Sequence, residues 1–192
     1  MNEEPISLPA LLTAEHELVD FDCGKAPLNE FLVKYALQNQ AGVGARTYVL
    51  TRGKRVIGYY SLAPASVAPE SAPTRVTKGQ GRYPVPVILM ARFALDLREQ
   101  GKGYGKILFR DALRRALAGA EAIGGRAFLV HAKDEEARAF YTRFGMEASP
   151  TNPLRLFLLF KDIRKSLEAA ERWQLLMRRS KKREMACRNQ FL

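Results

Sequence analysis

Cysteine and histidine are scarce in this chain of 192 residues, with two of each. Cys23 and Cys187 are too few and too far apart to build a disulfide framework, and two histidines among carboxylates without ligand spacing make no metal centre. No stretch approaches the ~20 apolar residues of a membrane-crossing helix, and the opening Met1-Asn2-Glu3-Glu4-Pro5 is unlike the basic start of a signal peptide. No internal repeat is visible. These absences predict a reduced, cytoplasmic, single-domain protein without metal and without a membrane partner. Hydrophobic residues make up 47% of the chain, enough to fill one core.

Charge is present in excess and unevenly placed. Thirty-one Lys/Arg against 20 Asp/Glu give +11, which points to a polyanionic partner. Of that, +6 lies in residues 161–192 and only +5 in residues 1–160. The basic run Arg178-Arg179-Ser180-Lys181-Lys182-Arg183 has three readings: an RNA grip, a dock for a protein partner, or a solvated tail foreign to the domain.

The most informative segment is Gln100-Gly101-Lys102-Gly103-Tyr104-Gly105. Val87 to Leu95 before it reads as a buried strand, and Lys106 to Leu117 after it carries Ile107, Leu108, Leu113 and Leu117 at helical spacing. Alternating glycines let the backbone approach a ligand closely, and the helix behind them aims free N–H groups at one point, so the loop predicts a phosphate site. A Walker A loop is excluded, because Gln100 stands where its first glycine belongs and Ile107 where its hydroxyl belongs. The dinucleotide fingerprint fails as well, with Lys106 at its third glycine.

Elsewhere, a helix is expected from about Pro27 to Asn39 and a hairpin of strands 46–52 and 55–63 across Gly53-Lys54. An early strand is expected near Ile6–Leu12 or Leu18–Phe21, and a long loop over 63–84. Strands follow at 126–131 and 154–160, then a helix past Lys161 with a stripe of Ile163, Leu167, Ala170, Trp173 and Met177.

Gln100, Gly103 and Gly105 fit the pattern Q/R-x-x-G-x-G/A, and Asp134 to Met146 resembles N-x-x-A-x-x-F-Y-x-x-x-G-F through Ala137, Phe140, Tyr141 and Gly145. Asp134 replaces the asparagine and Met146 the last phenylalanine. With these two motifs the chain resembles the GCN5-related N-acetyltransferases. Phe21-Asp22-Cys23-Gly24, Leu28 to Leu32, Ala36 to Gln40, Arg46 to Leu50, Gly58 to Ala63 and Pro84 to Val87 narrow the resemblance to the acetyltransferase toxins of bacterial toxin-antitoxin modules, over roughly residues 6–165.

The resemblance implies an α/β (α+β) fold: a mixed, mostly antiparallel sheet with a splayed pair of parallel strands and flanking helices. It divides the chain into a catalytic domain, 1–165, and a basic helical extension or tail, 166–192. It implies acetyl-CoA as donor, held by the backbone of Phe93, Ala94 and Leu95, the loop Gln100, Gly101, Lys102, Gly103, Tyr104, Gly105 and Lys106, and by Asp134 and Phe140. Tyr141 is the implied proton donor to the departing thiolate. The implied acceptor is the α-amino group of aminoacyl-tRNA, with Arg46, Arg75, Lys78, Arg82 and Arg92 contacting the RNA around the acetyl site. A ribbon-helix-helix antitoxin is the implied partner, and a homodimer is compatible.

An α-amino group, with pKa near 8, is partly neutral at pH 7 where a lysine amine is almost wholly charged, so this acceptor suits a site without an evident base. His131 reads as a hydrogen-bonded structural histidine, and Cys23 as a small buried residue. Two other readings stand: an acetyltransferase for protein amines or a small-molecule amine, and a non-catalytic acyl-CoA-binding regulatory module.

Overall fold

The computed structural model describes residues 4–188; residues 1–3 and 189–192, at the two ends of the expected domain and tail, lie outside it. A seven-stranded sheet in the order β1-β2-β3-β4-β5-β7-β6 forms the centre. Its strands are β1 (Ala10–Leu11), β2 (Arg46–Arg52), β3 (Arg55–Val67), β4 (Val85–Leu95), β5 (Ala127–His131), β6 (Glu147–Ala148) and β7 (Arg155–Leu159). Every pairing is antiparallel except β4 with β5. The helices are α1 (Ala26–Glu30, a π-helical stretch Phe31–Tyr35, and Ala36–Ala41), α2 (Thr74–Thr77), α3 (Tyr104–Ile123), α4 (Glu135–Thr142) and α5 (Phe160–Arg188). No described helix is long and apolar enough to cross a membrane.

Strand alternation sorts the side chains into two layers. On one face Tyr60, Leu62, Ile88, Met90, Phe128 and Val130 pack under α3, α4 and the start of α5. On the other, Val49, Tyr59 and Ala94 lie under α1 through Leu32 and Ala36, while Val85, Val87, Ala127 and Leu129 lie under the segment carrying α2. The expected hairpin forms, turning at Gly53.

Three elements differ from expectation. The early strand shrinks to two residues, with Ile6 in a lone bridge to Arg52. Strand β3 runs on to Val67 through Pro64, so the long loop shortens to residues 68–84 and contains a 3-10 turn, Pro69–Ser71, and α2. Proline is tolerated there because β2 begins opposite Leu62, leaving Pro64 paired with β4 alone. On α5, Ile163 is buried and Leu167 packs on the core, but Trp173 and Met177 are exposed, since the helix has by then passed the sheet it covers.

Candidate active site

The parallel pairing of β4 with β5 runs from Val87↔Ala127 to Met90↔Val130 and stops. Beyond it, β4 continues to Leu95 paired with β3 only. The register with β3 slips between Ser61 and Leu62, leaving Ala91 as the extra residue of a bulge at the point of departure. The consequence is a V-shaped opening: the backbone of Ala91, Arg92, Phe93, Ala94 and Leu95 has one edge free to take an extended ligand as an added strand.

The glycine loop begins five residues past that free edge. Gln100 donates from Nε2 to the Leu95 carbonyl at 3.0 Å, fastening the loop to the end of β4. Gly101 and Gly103 have φ of +76° and +87°, conformations that only glycine adopts without strain, and a Cβ at either would meet nothing within 4 Å. Gly103 is the N-cap of α3 and offers no side chain to its first turn, so among the described residues no side chain caps the N–H groups there. A helix start of this kind is suited to an anion.

The loop is set from beneath by two buried carboxylates on the 3-10 turn Leu97–Glu99 and its cap. Glu99 accepts from Arg52 Nε and Nη2 at 3.1 and 3.0 Å, from Arg55 Nη2 at 3.1 Å and from Lys102 Nζ at 3.0 Å. The Arg52 guanidinium, with Lys102, holds the Glu99 carboxyl down at about 2 despite burial. Asp96 accepts from Arg98 N, Nε and Nη2 and from Asp22 N. Burial works against its charge, yet the Arg98 bonds outweigh it and keep the carboxyl below its ordinary value. Sequence reading missed this cluster: Asp96 and Glu99 were visible, but Glu99's partners on the β2–β3 hairpin are 44 to 47 positions away.

Tyr141 on α4 closes the opening. Its ring lies 6.2 Å from Phe93, 5.4 Å from Phe109 and 5.2 Å from Phe140, and Phe140 in turn is 4.0 Å from the position of a Cβ on Gly105. One aromatic cluster therefore joins the free β4 edge, the glycine loop and Tyr141. Burial, with a smaller push from Asp134, raises the phenol above its ordinary value, so it keeps its proton at neutral pH. Among the described residues nothing hydrogen-bonds its hydroxyl. Asp134 spends one carboxylate oxygen on the Ala137 N–H at 2.9 Å, as N-cap of α4.

The basic residues separate into two groups. Arg92 stands on the α1 face of β4, its guanidinium 5.0 Å from the Phe31 ring centroid, and Arg46 begins β2 opposite Leu62. Both are exposed, Arg92 on the free stretch of β4 and Arg46 two strands away on β2. Arg75, Lys78 and Arg82 belong to the segment that covers the start of β4, about 20 Å away along the strand at ~3.3 Å per residue. Arg75 is also paired with Asp162 at 2.8 Å and Glu147 at 3.8 Å, and Arg126 clamps the segment through the Val76 and Lys78 carbonyls. The five do not gather around one point. His131 differs from expectation too: among the described residues its ring makes no hydrogen bond.

A sheet splayed beside a glycine-opened helix is the arrangement of one class of acyl-transfer enzymes. The sequence profile of the acetyltransferase (GNAT) family matches residues 13–146, and the chain belongs to that family. It is 47% identical over 158 residues, 82% of this chain and 95% of the relative, to a tRNA-acetylating toxin of Mycobacterium tuberculosis (strain ATCC 25618 / H37Rv). Among solved structures it resembles AtaT complexed with acetyl-methionyl-tRNAfMet, with a TM-score of 0.78 and 27% identity over 85% of this chain and 99% of that one. It also resembles a Tyr-to-Phe mutant of AtaT bound to the C-terminus of the antitoxin AtaR and acetyl-CoA, with a TM-score of 0.70 and 27% identity over 84% and 96%.

Proposed function

We propose that this protein transfers the acetyl group of acetyl-CoA to the α-amino group of an aminoacyl-tRNA in the cytoplasm, so blocking translation, and that a ribbon-helix-helix antitoxin neutralises it. The observation that supports the transfer chemistry is that the β4 stretch left unpaired by β5, the uncapped glycine loop and the Tyr141 ring, 6.2 Å from Phe93, lie in one region of the fold. The acceptor and the partner follow from the relatives, whose sequences this chain matches over nearly their whole length.

Acetyl-CoA fits the residues present. The amides of Gly103, Tyr104 and Gly105 suit a pyrophosphate, the open space above Gly101 and Gly103 admits it, and the β4 edge from Ala91 to Leu95 suits the amides of an extended arm. When bound, it supplies a thioester carbonyl for an amine to attack. Phe93 and Phe140 pack together with ring centroids 6.0 Å apart and would shield the thioester from water. Tyr141 holds a proton at its hydroxyl for the sulfur that leaves. Arg46 and Arg92 line the mouth where a tRNA acceptor end enters, and Arg75, Lys78 and Arg82 are placed to meet phosphates farther along the RNA.

Free-thiol release from acetyl-CoA, followed with charged tRNA, uncharged tRNA, a lysine-containing peptide and a polyamine as acceptors, tests the reading. Charged tRNA alone is expected to drive turnover. Equal or greater turnover with the peptide or the polyamine would transfer the protein to the small-amine or protein-amine reading.

A further inference from the structure

Acetylation removes a proton from the acceptor nitrogen, and the site described so far contains a proton donor without a proton acceptor. We propose that His131 is the general base of this reaction, a role that rests on the acetyl-transfer reading above.

His131 is the last residue of β5, one step past the Val130↔Met90 pair at which the two parallel strands part. Its neighbours Val130 and Ala132 are both buried in the core that contains Tyr141, while His131 between them is exposed. Alternation along the strand therefore puts the imidazole on the opposite face, the one on which Arg92 stands beside Phe31. Tyr141 reaches the opening from one side of the sheet and His131 flanks it on the other, so a proton can leave the nitrogen on the face away from the sulfur's proton donor.

The ring's chemistry agrees with that place. A structural histidine fixes its ring through a hydrogen bond, as His16 does through Nδ1 with Thr13. His131 has none among the described residues. Partial burial and the Arg155 guanidinium, which belongs to the residue paired with it across β5 and β7, both disfavour the imidazolium and lower its pKa. The ring is thus neutral at pH 7, with a lone pair available. The nearby carboxylates are engaged elsewhere: Asp134 caps α4, and Asp96 and Glu99 are buried under arginines.

The step balances without an additional reagent. As the N–C bond forms and the C–S bond breaks, His131 takes the proton leaving the nitrogen and Tyr141 gives its proton to the sulfur. One proton passed through water from imidazolium to phenolate restores both groups.

The test uses His131→Gln and His131→Ala in the full chain, with unchanged circular dichroism and acetyl-CoA affinity as the fold controls. For His131→Gln, kcat on charged tRNA is expected to fall at least ~10²-fold. The loss should be larger for an acceptor amine of higher pKa than for an aminoacyl ester, and added imidazole should restore part of the His131→Ala rate. Wild-type kcat in His131→Gln overturns the proposal. So does a loss that imidazole does not relieve and that is the same for amines of every basicity, which marks a structural role. Normal His131→Gln turnover beside a crippled Asp134→Asn moves the base to Asp134. A wild-type protein inert toward every amine overturns the acetyl-transfer reading and the base with it, and needs no variant to be seen.

Discussion

Tyr141 is enclosed by three aromatic rings yet, among the described residues, its hydroxyl has no hydrogen-bond partner, a combination that packing alone does not require. Replacing it with Phe keeps the rings together and removes the proton, so kcat should drop by roughly 10²-fold or more while acetyl-CoA affinity holds. Rapid-quench kinetics beside calorimetry separate the two; a normal rate would return Tyr141 to the core. Glu99 makes a prediction of a different kind. Its carboxyl falls from an ordinary 4.5 to about 2 in the fold, so its stabilisation is complete above pH 4.5 and is lost as pH falls toward 2. Glu99→Gln should lose on the order of 2–3 kcal/mol at pH 7 and much of the wild type's acid sensitivity in that window, read by denaturant melts at several pH values. Tyr141 was legible because its motif is local. Glu99 was not, because a carboxylate beside a glycine loop looks solvated until the hairpin brings Arg52 and Arg55 under it.

In the proposed function, the glycine loop with α3 is the element that holds the donor. At φ of +87°, with open space around it, Gly103 is constrained by backbone and ligand and not by neighbours in the fold. Gly103→Glu should leave the protein folded, at a cost of about 1–2 kcal/mol for the left-handed conformation, and abolish acetyl-CoA binding by placing negative charge on the anion site. Calorimetry showing unchanged affinity would reduce the loop to a turn. This unit was readable in advance, since strand, glycine loop and helix each carry a local pattern. The π-helical stretch Phe31–Tyr35 and the continuation of β3 through Pro64 were not readable, because both depend on which neighbours a segment has. The opening between β4 and β5 has the same origin: no residue encodes it alone, only the early end of one strand beside the length of another.

At the scale of the molecule, the proposed contact with RNA rests on where the basic residues lie. Arg92 lies on the free stretch of β4 and Arg46 on β2, while Arg75, Lys78 and Arg82 are exposed on the segment over the start of β4, with Arg75 paired to Asp162 and Glu147. Activity on charged tRNA should weaken steeply with salt, and removing each residue that meets a phosphate should reduce the slope of log KM against log salt by about one unit. A slope that none of the five substitutions alters would exclude them from the interface. The expected boundary at residue 165 falls within α5, so cutting after Ala170 keeps Ile163 and Leu167 on the core. If the basic run beyond it grips RNA, this truncation raises KM for tRNA and leaves acetyl-CoA affinity alone; an unchanged KM makes the extension a solvated tail. All of this depends on one reaction. The direct measurement is to incubate the protein with labelled acetyl-CoA and total charged tRNA, digest the RNA, and identify the labelled product by mass spectrometry. N-acetylated aminoacyl-adenosine, formed by the wild type and much reduced with Tyr141→Phe, is the predicted result. Label found only on protein or on free amines, with aminoacyl-adenosine unmodified, would contradict the account.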